Sequence, residues 1–269
     1  MFVLGVDIGS SASKCVILRI AADDAADSSA AAATATAPVV ISTAVAVGGA
    51  GTGGPGRAID AALEDAGISD ADLSKVAATG YGRNTFERAD VTFSELSCHA
   101  KGAVFIMPGV RTVIDIGGQD CKAMQLDASG RLENFAMNDK CAAGTGRFLE
   151  VMARVLEIGL PEMGRYGEEA ESVIEITSTC TVFAESEVIS QLSKGADKRA
   201  LVAGIHRSVA AKAASIAKRL KVVQPIFFTG GVSQNTAVVK ALARELKADV
   251  QTAPSAQLAG ALGAALMAQ

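Results

Sequence analysis

Two short segments of the chain repeat the same chemistry at a fixed spacing. The segment Asp7–Lys14 reads DIGSSASK, and Asp115–Lys122 reads DIGGQDCK, so that the aspartate and the lysine both recur at an offset of 108 residues. In each copy, an apolar strand runs through the aspartate into a glycine turn and then into a second strand. One Asp-x-Gly turn is common in ordinary hairpins, but two copies at matched spacing indicate a shared function.

The repeated turn suits the phosphate groups of a nucleotide. Glycine allows the backbone to approach phosphate oxygens, and consecutive N–H groups in a turn form an anion-binding concavity. Asp7 and Asp115, at the ends of strands, are suited to hold Mg²⁺ through water. The remaining phosphate-binding candidates are Gly9, Ser10, Ser11, Ser13, Lys14, Gly117, Gly118, Asp120 and Lys122.

Two further glycine motifs follow predicted strands or open predicted helices. The first, Thr229-Gly230-Gly231-Val232-Ser233-Gln234, follows an apolar strand, and we expect Gly230, Gly231 and Gln234 to border the adenosine. The second, Gly144-Thr145-Gly146, supplies Gly144 and Gly146 as candidates for a phosphate or ribose contact. Either motif alone is equally typical of a structural turn in an α/β protein.

Two of the five cysteines precede predicted helices. Cys141 lies ahead of a helix predicted over 142–158, and Cys180 lies ahead of one predicted over 182–192. Helix N-termini favour thiolate and can donate N–H···S bonds to an iron–sulfur cluster. Since two ligands cannot hold a four-iron cluster, a twofold dimer would have to complete it. The sequence leaves this interpretation and simple packing equally open.

The other cysteines and both histidines are expected to be structural. Cys15, Cys98 and Cys121 lie inside predicted strands or helices, where a free cysteine usually packs as a small apolar residue. His99 and His206 are isolated in sequence and are expected to be satisfied core or surface residues.

The elements that must position these residues form two rounds of strands followed by helices. This pattern predicts an α/β protein of two domains, 1–108 and 109–254, with a C-terminal helix over 255–269 as a candidate to pack back on the first. The composition is 49% apolar but only 4% aromatic, which predicts a core built by close backbone approach. Residues 21–37, rich in alanine, are expected to form a surface hairpin tip.

Composition also limits the classes of partner and compartment. The net charge of −4 gives no reason to expect a nucleic-acid surface. The chain starts without a basic, apolar signal sequence, and the uncharged stretch 28–56 is too polar and too rich in glycine to cross a membrane. Five widely spaced cysteines do not make a disulfide scaffold. We therefore expect a cytoplasmic protein with no nucleic-acid or membrane partner.

Several segments together resemble one known family. DIGSSASKCVIL, ATGYGR, SELSCHA, VIDIGGQD, NDKCAAGTGRFLEVMA, STCTVFAESEVISQLSKG, GIHRSVA and TGGVSQN are similar to the BadF/BadG/BcrA/BcrD ATPase family, and within it to the activators of 2-hydroxyacyl-CoA dehydratases. The resemblance runs from Phe2 to about Ala268. It implies two ribonuclease-H-like domains, of the actin, Hsp70 and sugar-kinase type, with a nucleotide cleft between them.

The resemblance further implies cofactors and partners. These are ATP or ADP with Mg²⁺, and one [4Fe–4S] cluster held by Cys141 and Cys180 of both chains of a homodimer. Ferredoxin or flavodoxin would reduce the cluster, and the dehydratase component would receive one electron. Gln119 is then the candidate to orient the attacking water, while Glu95, Arg147 and Glu187 are weaker candidates for the cleft.

Three other functions stay open at this point. One is the ATPase component of a benzoyl-CoA reductase, another is a sugar-type kinase, and the third is a nucleotide-sensing interaction protein without turnover. A kinase needs a carboxylate base beside its substrate, and no segment identifies one. The identity of the 2-hydroxyacyl-CoA is not encoded in any of these motifs.

Overall fold

A computed structural model describes residues 1–21, 37–177 and 180–269. The chain divides into two compact units: unit 1 comprises Met1–Gly102 and Leu258–Gln269, and unit 2 comprises Ala103–Gln257. The sequence-based domain limits at residues 108 and 254 stay a prediction about functional domains, whereas these units are defined by compactness alone. The predicted hairpin tip at 21–37 falls outside the described residues, apart from its two ends.

The described elements follow the sequence patterns closely. The strands are β1 (Phe2–Ile8), β2 (Ala12–Arg19), β3 (Val39–Val47), β4 (Leu73–Thr79), β5 (Val91–Thr92), β6 (Thr112–Ile116), β7 (Cys121–Leu126), β8 (Leu132–Asn138), β9 (Ile226–Thr229) and β10 (Val250–Gln251). The helices are α1 (Gly54–Ala66), α2 (Glu95–Ile106), α3 (Gly146–Leu156), α4 (Met163–Glu168), α5 (Thr181–Ser193), α6 (Lys198–Ala217), α7 (Thr236–Leu246) and α8 (Ala259–Met267).

Each unit contains a five-stranded sheet with the same topology. The order is β3-β2-β1-β4-β5 in unit 1 and β8-β7-β6-β9-β10 in unit 2. In both sheets the first three strands in sequence are antiparallel, and the last two run parallel to the first strand. The 108-residue offset is therefore part of a duplication of the whole sheet.

Small residues bring the backbone elements of unit 1 into direct contact. A Cβ at Gly5 of β1 would clash with the Ala261 carbonyl of α8. Between α2 and α8, Gly102 abuts the Ala259 carbonyl and Gly263 abuts the Cys98 carbonyl in the same way. This confirms that alanine and glycine, rather than large rings, build this core.

Unit 2 has the larger apolar core, which lies between its sheet and its helices. Strand β6 is buried along its whole length, as expected for a central strand covered on both faces. Helix α6 contributes twelve buried residues, so it is the principal helix of this core. The core includes Ile114, Ile116, Phe148, Met152, Ile205, Val209 and Phe228.

The helices differ from the sequence prediction in two places. The helix predicted over 142–158 begins only at Gly146, because Gly144 adopts a left-handed conformation with φ of 82° and Thr145 is the N-cap. Helix α4 was not predicted, since six residues that include two glycines carry too little periodicity. Among the described residues, no helix is long and apolar enough to cross a membrane.

Candidate functional site

The turn between β1 and β2 places an aspartate and a lysine side by side. Asp7 and Lys14 are direct partners in the antiparallel register, and Lys14 Nζ lies 3.3 Å from Asp7 Oδ2. Asp7 is only 3% exposed, whereas the side chain of Lys14 retains 16% exposure. The turn is closed by Gly9 N–H, which donates to Ala12 O at 3.1 Å.

The serines of this turn have different surroundings. Ser13 Oγ donates to Gly48 O at 2.9 Å, so this hydroxyl supports the hairpin rather than standing open to a ligand. Ser11 Oγ is buried and has no hydrogen-bond partner within the described part of the chain. Ser10 is half-buried at the tip. Of the predicted phosphate-binding hydroxyls, Ser10 and Ser11 are therefore the better placed.

The turn between β6 and β7 repeats the pair in a more acidic setting. Asp115 and Lys122 are register partners, with Nζ 3.4 Å from Asp115 Oδ2. Lys122 Nζ also lies 2.6 Å from Asp120 Oδ2, and Lys122 is only 2% exposed. Position 12 of unit 1, which corresponds to Asp120, is alanine. The buried Lys122 ammonium therefore lies between two carboxylates, whereas position 12 of unit 1 supplies no carboxylate.

The start of α3 is joined to the second turn by backbone hydrogen bonds. Gly146 N–H donates to Gly117 O at 2.9 Å, and Arg147 N–H donates to Gly118 O at 2.8 Å. Gly144 packs against the side chain of Lys212 from α6. The predicted residues Gly117, Gly118 and Gly146 are thus brought together.

The Thr-Gly sequence after β9 completes the surroundings of Asp115. Thr229 is the register partner of Asp115, and its Oγ1 donates to Asp115 Oδ1 at 2.9 Å. Gly230 has φ of 84° and leaves no room for a Cβ beside Ile116 O. The next residues form a short 3₁₀ turn in which Gln234 Nε2 donates to Ser233 Oγ at 3.4 Å. Gly231 and Gln234 lie in this turn, beyond the contact with the carboxylate.

Unit 1 contains the same Thr-Gly arrangement, which the sequence reasoning missed. Thr79, at the end of β4, is the register partner of Asp7, and Gly80 follows with φ of 83°. A Cβ at Gly80 would clash with Asp7 Oδ1. The signal was present, because both halves place Thr-Gly after the strand that runs parallel to the aspartate strand.

The side chains of the other predicted residues have the following local surroundings. Gln119 is exposed at the tip of the second turn. Arg147 pairs with Glu150 at 2.8 Å, and Glu187 accepts hydrogen bonds from the Thr177 N–H and Oγ1, each at 3.0 Å. Glu95 lies in the first turn of α2.

The two cysteines proposed as ligands are the two most accessible ones. Cys180 is exposed and is the N-cap of α5, as predicted. Cys141 is half-buried, but the predicted position at a helix N-terminus is wrong, because α3 begins five residues later. The Cys141 carbonyl accepts a hydrogen bond from Asn138 Nδ2 at 2.9 Å. The described residues contain no group of three or more His, Cys, Asp or Glu side chains arranged for a metal ion.

The remaining three cysteines are structural, as expected. Burial raises the pKa of Cys15 and of Cys121 to about 12, and the pKa of Cys98 to about 11. Thiols of this kind stay protonated near neutral pH and are poor nucleophiles and metal ligands.

Apolar side chains are exposed on the helix that starts at Cys180. Val182 and Phe183 are 65% and 68% exposed, and Ile189 is 51% exposed about two turns further along α5. Monomeric proteins rarely leave large neighbouring apolar side chains in water, so this surface is a candidate contact face.

Comparisons with known proteins agree with this geometry. The BadF/BadG/BcrA/BcrD ATPase family matches residues 4–268. The chain is 50% identical to the activator of lactoyl-CoA dehydratase of Anaerotignum propionicum and to the (R)-2-hydroxyglutaryl-CoA dehydratase activating ATPase of Acidaminococcus fermentans, covering 100% of this chain and 97% of each relative. It is 30% identical to a component of the benzoyl-CoA reductase of Thauera aromatica, over 97% of this chain and 91% of that one.

Solved structures give the same result for the fold. The activator of 2-hydroxyisocaproyl-CoA dehydratase from Clostridium difficile, with bound ADPNP, has a TM-score of 0.91 at 47% identity, covering 100% of this chain and 94% of that one. A ROK family glucokinase from Streptomyces griseus has a TM-score of 0.56 at 17% identity, over 100% and 99% of the two chains, and shows the fold alone. The predicted fold class, two ribonuclease-H-like domains, is confirmed.

Proposed function

Because the chain belongs to the BadF/BadG/BcrA/BcrD ATPase family, we propose that it is an ATP-hydrolysing activator of a 2-hydroxyacyl-CoA dehydratase. The observation that carries this proposal is the identity of 50% with two such activators over the full length of the chain. The lower identity of 30% with the benzoyl-CoA reductase component gives that alternative less support.

The first turn is the principal phosphate-binding element of the proposed site. Its glycine and serine N–H groups can surround an anion, and Lys14 is exposed enough to reach one. Ser11 Oγ, buried without a partner among the described residues, supports the same assignment, because a ligand oxygen would satisfy it. Asp7, beside Lys14, supplies the hard carboxylate oxygens that Mg²⁺ prefers.

The second turn is better suited to Mg²⁺ and the attacking water than to phosphate. Lys122 is buried between two carboxylates, so its charge stabilises Asp115 and Asp120 rather than a ligand. The net negative charge of this cluster attracts a cation, and Asp115 is fixed by the Thr229 hydroxyl. Gln119, exposed at the tip, is free of the core and can orient a water molecule. Gly230, Gly231 and Gln234 would border the adenosine.

Cys141 and Cys180 are the proposed cluster ligands. Their donor set fits a [4Fe–4S] cluster, since both thiols are accessible, and Cys180 stands at the start of α5, where N–H groups of the first helical turn can donate to cluster sulfur. When bound, the cluster would supply one-electron chemistry. Two thiols per chain provide half of the ligands, so the proposal requires a homodimer, to which the exposed apolar face of α5 can contribute.

The contacts in unit 2 offer a route from nucleotide to cysteine. The second turn is bonded to the N-terminus of α3, and the loop just before α3 contains Cys141. Asn138, which ends β8 and pairs with the start of β7, holds the Cys141 carbonyl. A displacement of the second turn on ATP hydrolysis would therefore reach the cysteine through two sets of hydrogen bonds.

The physiological partners follow from the proposed activity. A dehydratase component accepts the electron, and ferredoxin or flavodoxin supplies it. Such chemistry belongs in a reducing cytoplasm, where accessible thiols are not lost as disulfides.

The direct test is an anaerobic assay that combines this protein with a 2-hydroxyacyl-CoA dehydratase, ATP, Mg²⁺ and a one-electron reductant. We expect the natural protein to start dehydration, and Asp115→Asn to reduce ATP hydrolysis and activation at least ~100-fold, as loss of a group essential to phosphoryl transfer does. Asp127→Asn is the matched control, because Asp127 lies in an exposed turn of the same unit. Full activation by Asp115→Asn, or ATP hydrolysis without activation of any such dehydratase, would refute the proposal.

A further inference from the structure

The carboxylate of Asp7 is enclosed by residues from four elements of unit 1. Lys14 of β2 lies 3.3 Å from Oδ2, and Gly80, after β4, is in contact with Oδ1. Gly260 of α8 lies beside Oδ2, and His99 of α2 lies beside Gly260. Neither of these was singled out from the sequence as part of a nucleotide site.

Gly260 brings the histidine and the carboxylate to one point. A Cβ at Gly260 would lie 2.9 Å from His99 Nε2 and 3.0 Å from Asp7 Oδ2. The imidazole nitrogen and the carboxylate oxygen are therefore separated by no more than the sum of these distances. Both residues are almost fully buried, with exposures of 4% for His99 and 3% for Asp7. A buried polar side chain beside a buried carboxylate is an electrostatic neighbour that water screens little.

The two sheets differ in the hydrogen bond of the threonine beside the aspartate. In unit 2, the threonine in register with the aspartate donates its hydroxyl to it, from Thr229 Oγ1 to Asp115 Oδ1 at 2.9 Å. In unit 1, the corresponding Thr79 Oγ1 donates instead to Phe93 O at 3.1 Å. The first aspartate thus loses the side-chain donor that orients the second.

We propose that His99 is a positioning residue for Asp7, and that its imidazole has in unit 1 the orienting role that the Thr229 hydroxyl has in unit 2. The inference rests on the proposed function only in taking Asp7 as a group that acts on Mg²⁺ and ATP. His99 Nε2 and Asp7 Oδ2 both lie within 3.0 Å of the Cβ position of Gly260, whereas Oδ1 is the oxygen beside Gly80. Helix α8 is needed for this arrangement, because Gly260 leaves the space in which the two side chains approach each other.

The test compares His99→Gln with His99→Asn in the full-length protein. Glutamine can place its amide nitrogen near the position of Nε2, whereas the shorter asparagine can place it only near Nδ1. Both replacements are polar, so they differ in the position of the donor rather than in the burial of an apolar group. Cys98→Ala is the matched control, because Cys98 is the neighbour of His99 on α2 and its own thiol contacts Met267 Sδ at 3.9 Å.

We expect His99→Asn to lower kcat for ATP hydrolysis ~10–100-fold, as the loss of a residue that orients a ligand group does, with little change in the KM for ATP. It should also reduce the increase in Tm that ADP produces with Mg²⁺, but not the increase produced by ADP alone. His99→Gln and Cys98→Ala should resemble the natural protein in both measurements.

Equal behaviour of His99→Asn and His99→Gln, whether both are impaired or both are unaffected, would overturn the inference. The same would follow if Cys98→Ala reproduced the effect of His99→Asn. The Tm measurement requires only nucleotide binding. It therefore tests whether His99 positions Asp7 even if this chain activates no dehydratase. Failure of the proposed function and failure of this inference are therefore distinguishable.

Discussion

Asp7–Lys14 and Asp115–Lys122 are the same residue pair in two electrostatic settings. Each aspartate faces its lysine across an antiparallel hairpin, but Lys122 is fully buried and also meets Asp120. A buried ammonium that lies between two carboxylates leaves them only at a large cost in free energy, so Lys122 is not suited to bind a ligand instead. The two settings support two proposed roles for the duplicated motif: phosphate binding by Lys14, and a structural ion pair for Lys122.

The tautomer of His206 can be assigned from its neighbours. Asn235 is the N-cap of α7, and its Oδ1 accepts from the N–H groups of Ala237 and Val238. The amide nitrogen of Asn235 therefore faces His206 Nε2 at 3.0 Å, so that Nε2 accepts and Nδ1 holds the proton. Burial lowers the pKa of His206 from 6.5 to about 4, which keeps the ring neutral at neutral pH.

This neutral histidine predicts a loss of stability in mild acid. Between pH 6.5 and pH 4 the unfolded chain binds a proton at His206 that the folded chain does not, so the free energy of unfolding falls as the pH falls. When the pH is lowered from 7 to 5, we expect the free energy of unfolding to fall by about 2 kcal/mol less in His206→Gln than in the natural protein. Urea unfolding at the two pH values measures this difference, and equal losses would contradict the assignment.

At the scale of elements, the duplicated sheet explains why the Thr-Gly pairs matter. In each unit this pair ends the strand beside the aspartate strand, and the glycine adopts a positive φ against the carboxylate. Only glycine takes that conformation without strain and also leaves room for the neighbouring carbonyl. The site is thus formed where strands end, rather than on mobile loops.

Gly230→Ala and Gly231→Ala form a matched pair that tests this role. Alanine at Gly230 would meet Ile116 O in a conformation with φ of 84°, whereas alanine at Gly231 would meet open space. We expect Gly230→Ala to cost ~2 kcal/mol or more in the free energy of unfolding, and Gly231→Ala less than ~1 kcal/mol. Chemical denaturation measures both values. Equal stabilities would show that the turn tolerates a side chain and would contradict the structure at this point.

Local patterns in the sequence predict most elements, but not the contacts between distant ones. The β1–β2 and β6–β7 hairpins could be predicted because each aspartate and its lysine lie only seven residues apart. The prediction of Cys141 at a helix N-terminus is wrong because Gly144 adopts a left-handed turn, which a helical periodicity does not reveal. His99 is isolated in the sequence, and its approach to Asp7 depends on Gly260, about 160 residues further along the chain.

For the molecule as a whole, composition and site lead to the same account. A core made of alanine and glycine allows α8 to pack directly on β1 and α2, and this packing places Gly260 beside Asp7. Three cysteines belong to buried cores, whereas Cys141 and Cys180 remain accessible. The odd number of cysteines is thus divided into three packed thiols and two proposed ligands, and the proposed cluster would take its other two thiols from a second copy of the chain.

The most direct test of the proposed electron-donating ATPase is the metal content of the protein purified without oxygen. The account predicts a brown homodimer with broad absorbance near ~400 nm and about two iron and two sulfide ions per chain. Cys141→Ser should lose iron and colour while it still binds ADP. Cys98→Ala should keep the iron, the colour and the binding of ADP. A colourless natural protein that takes up no iron after anaerobic reconstitution would contradict the account.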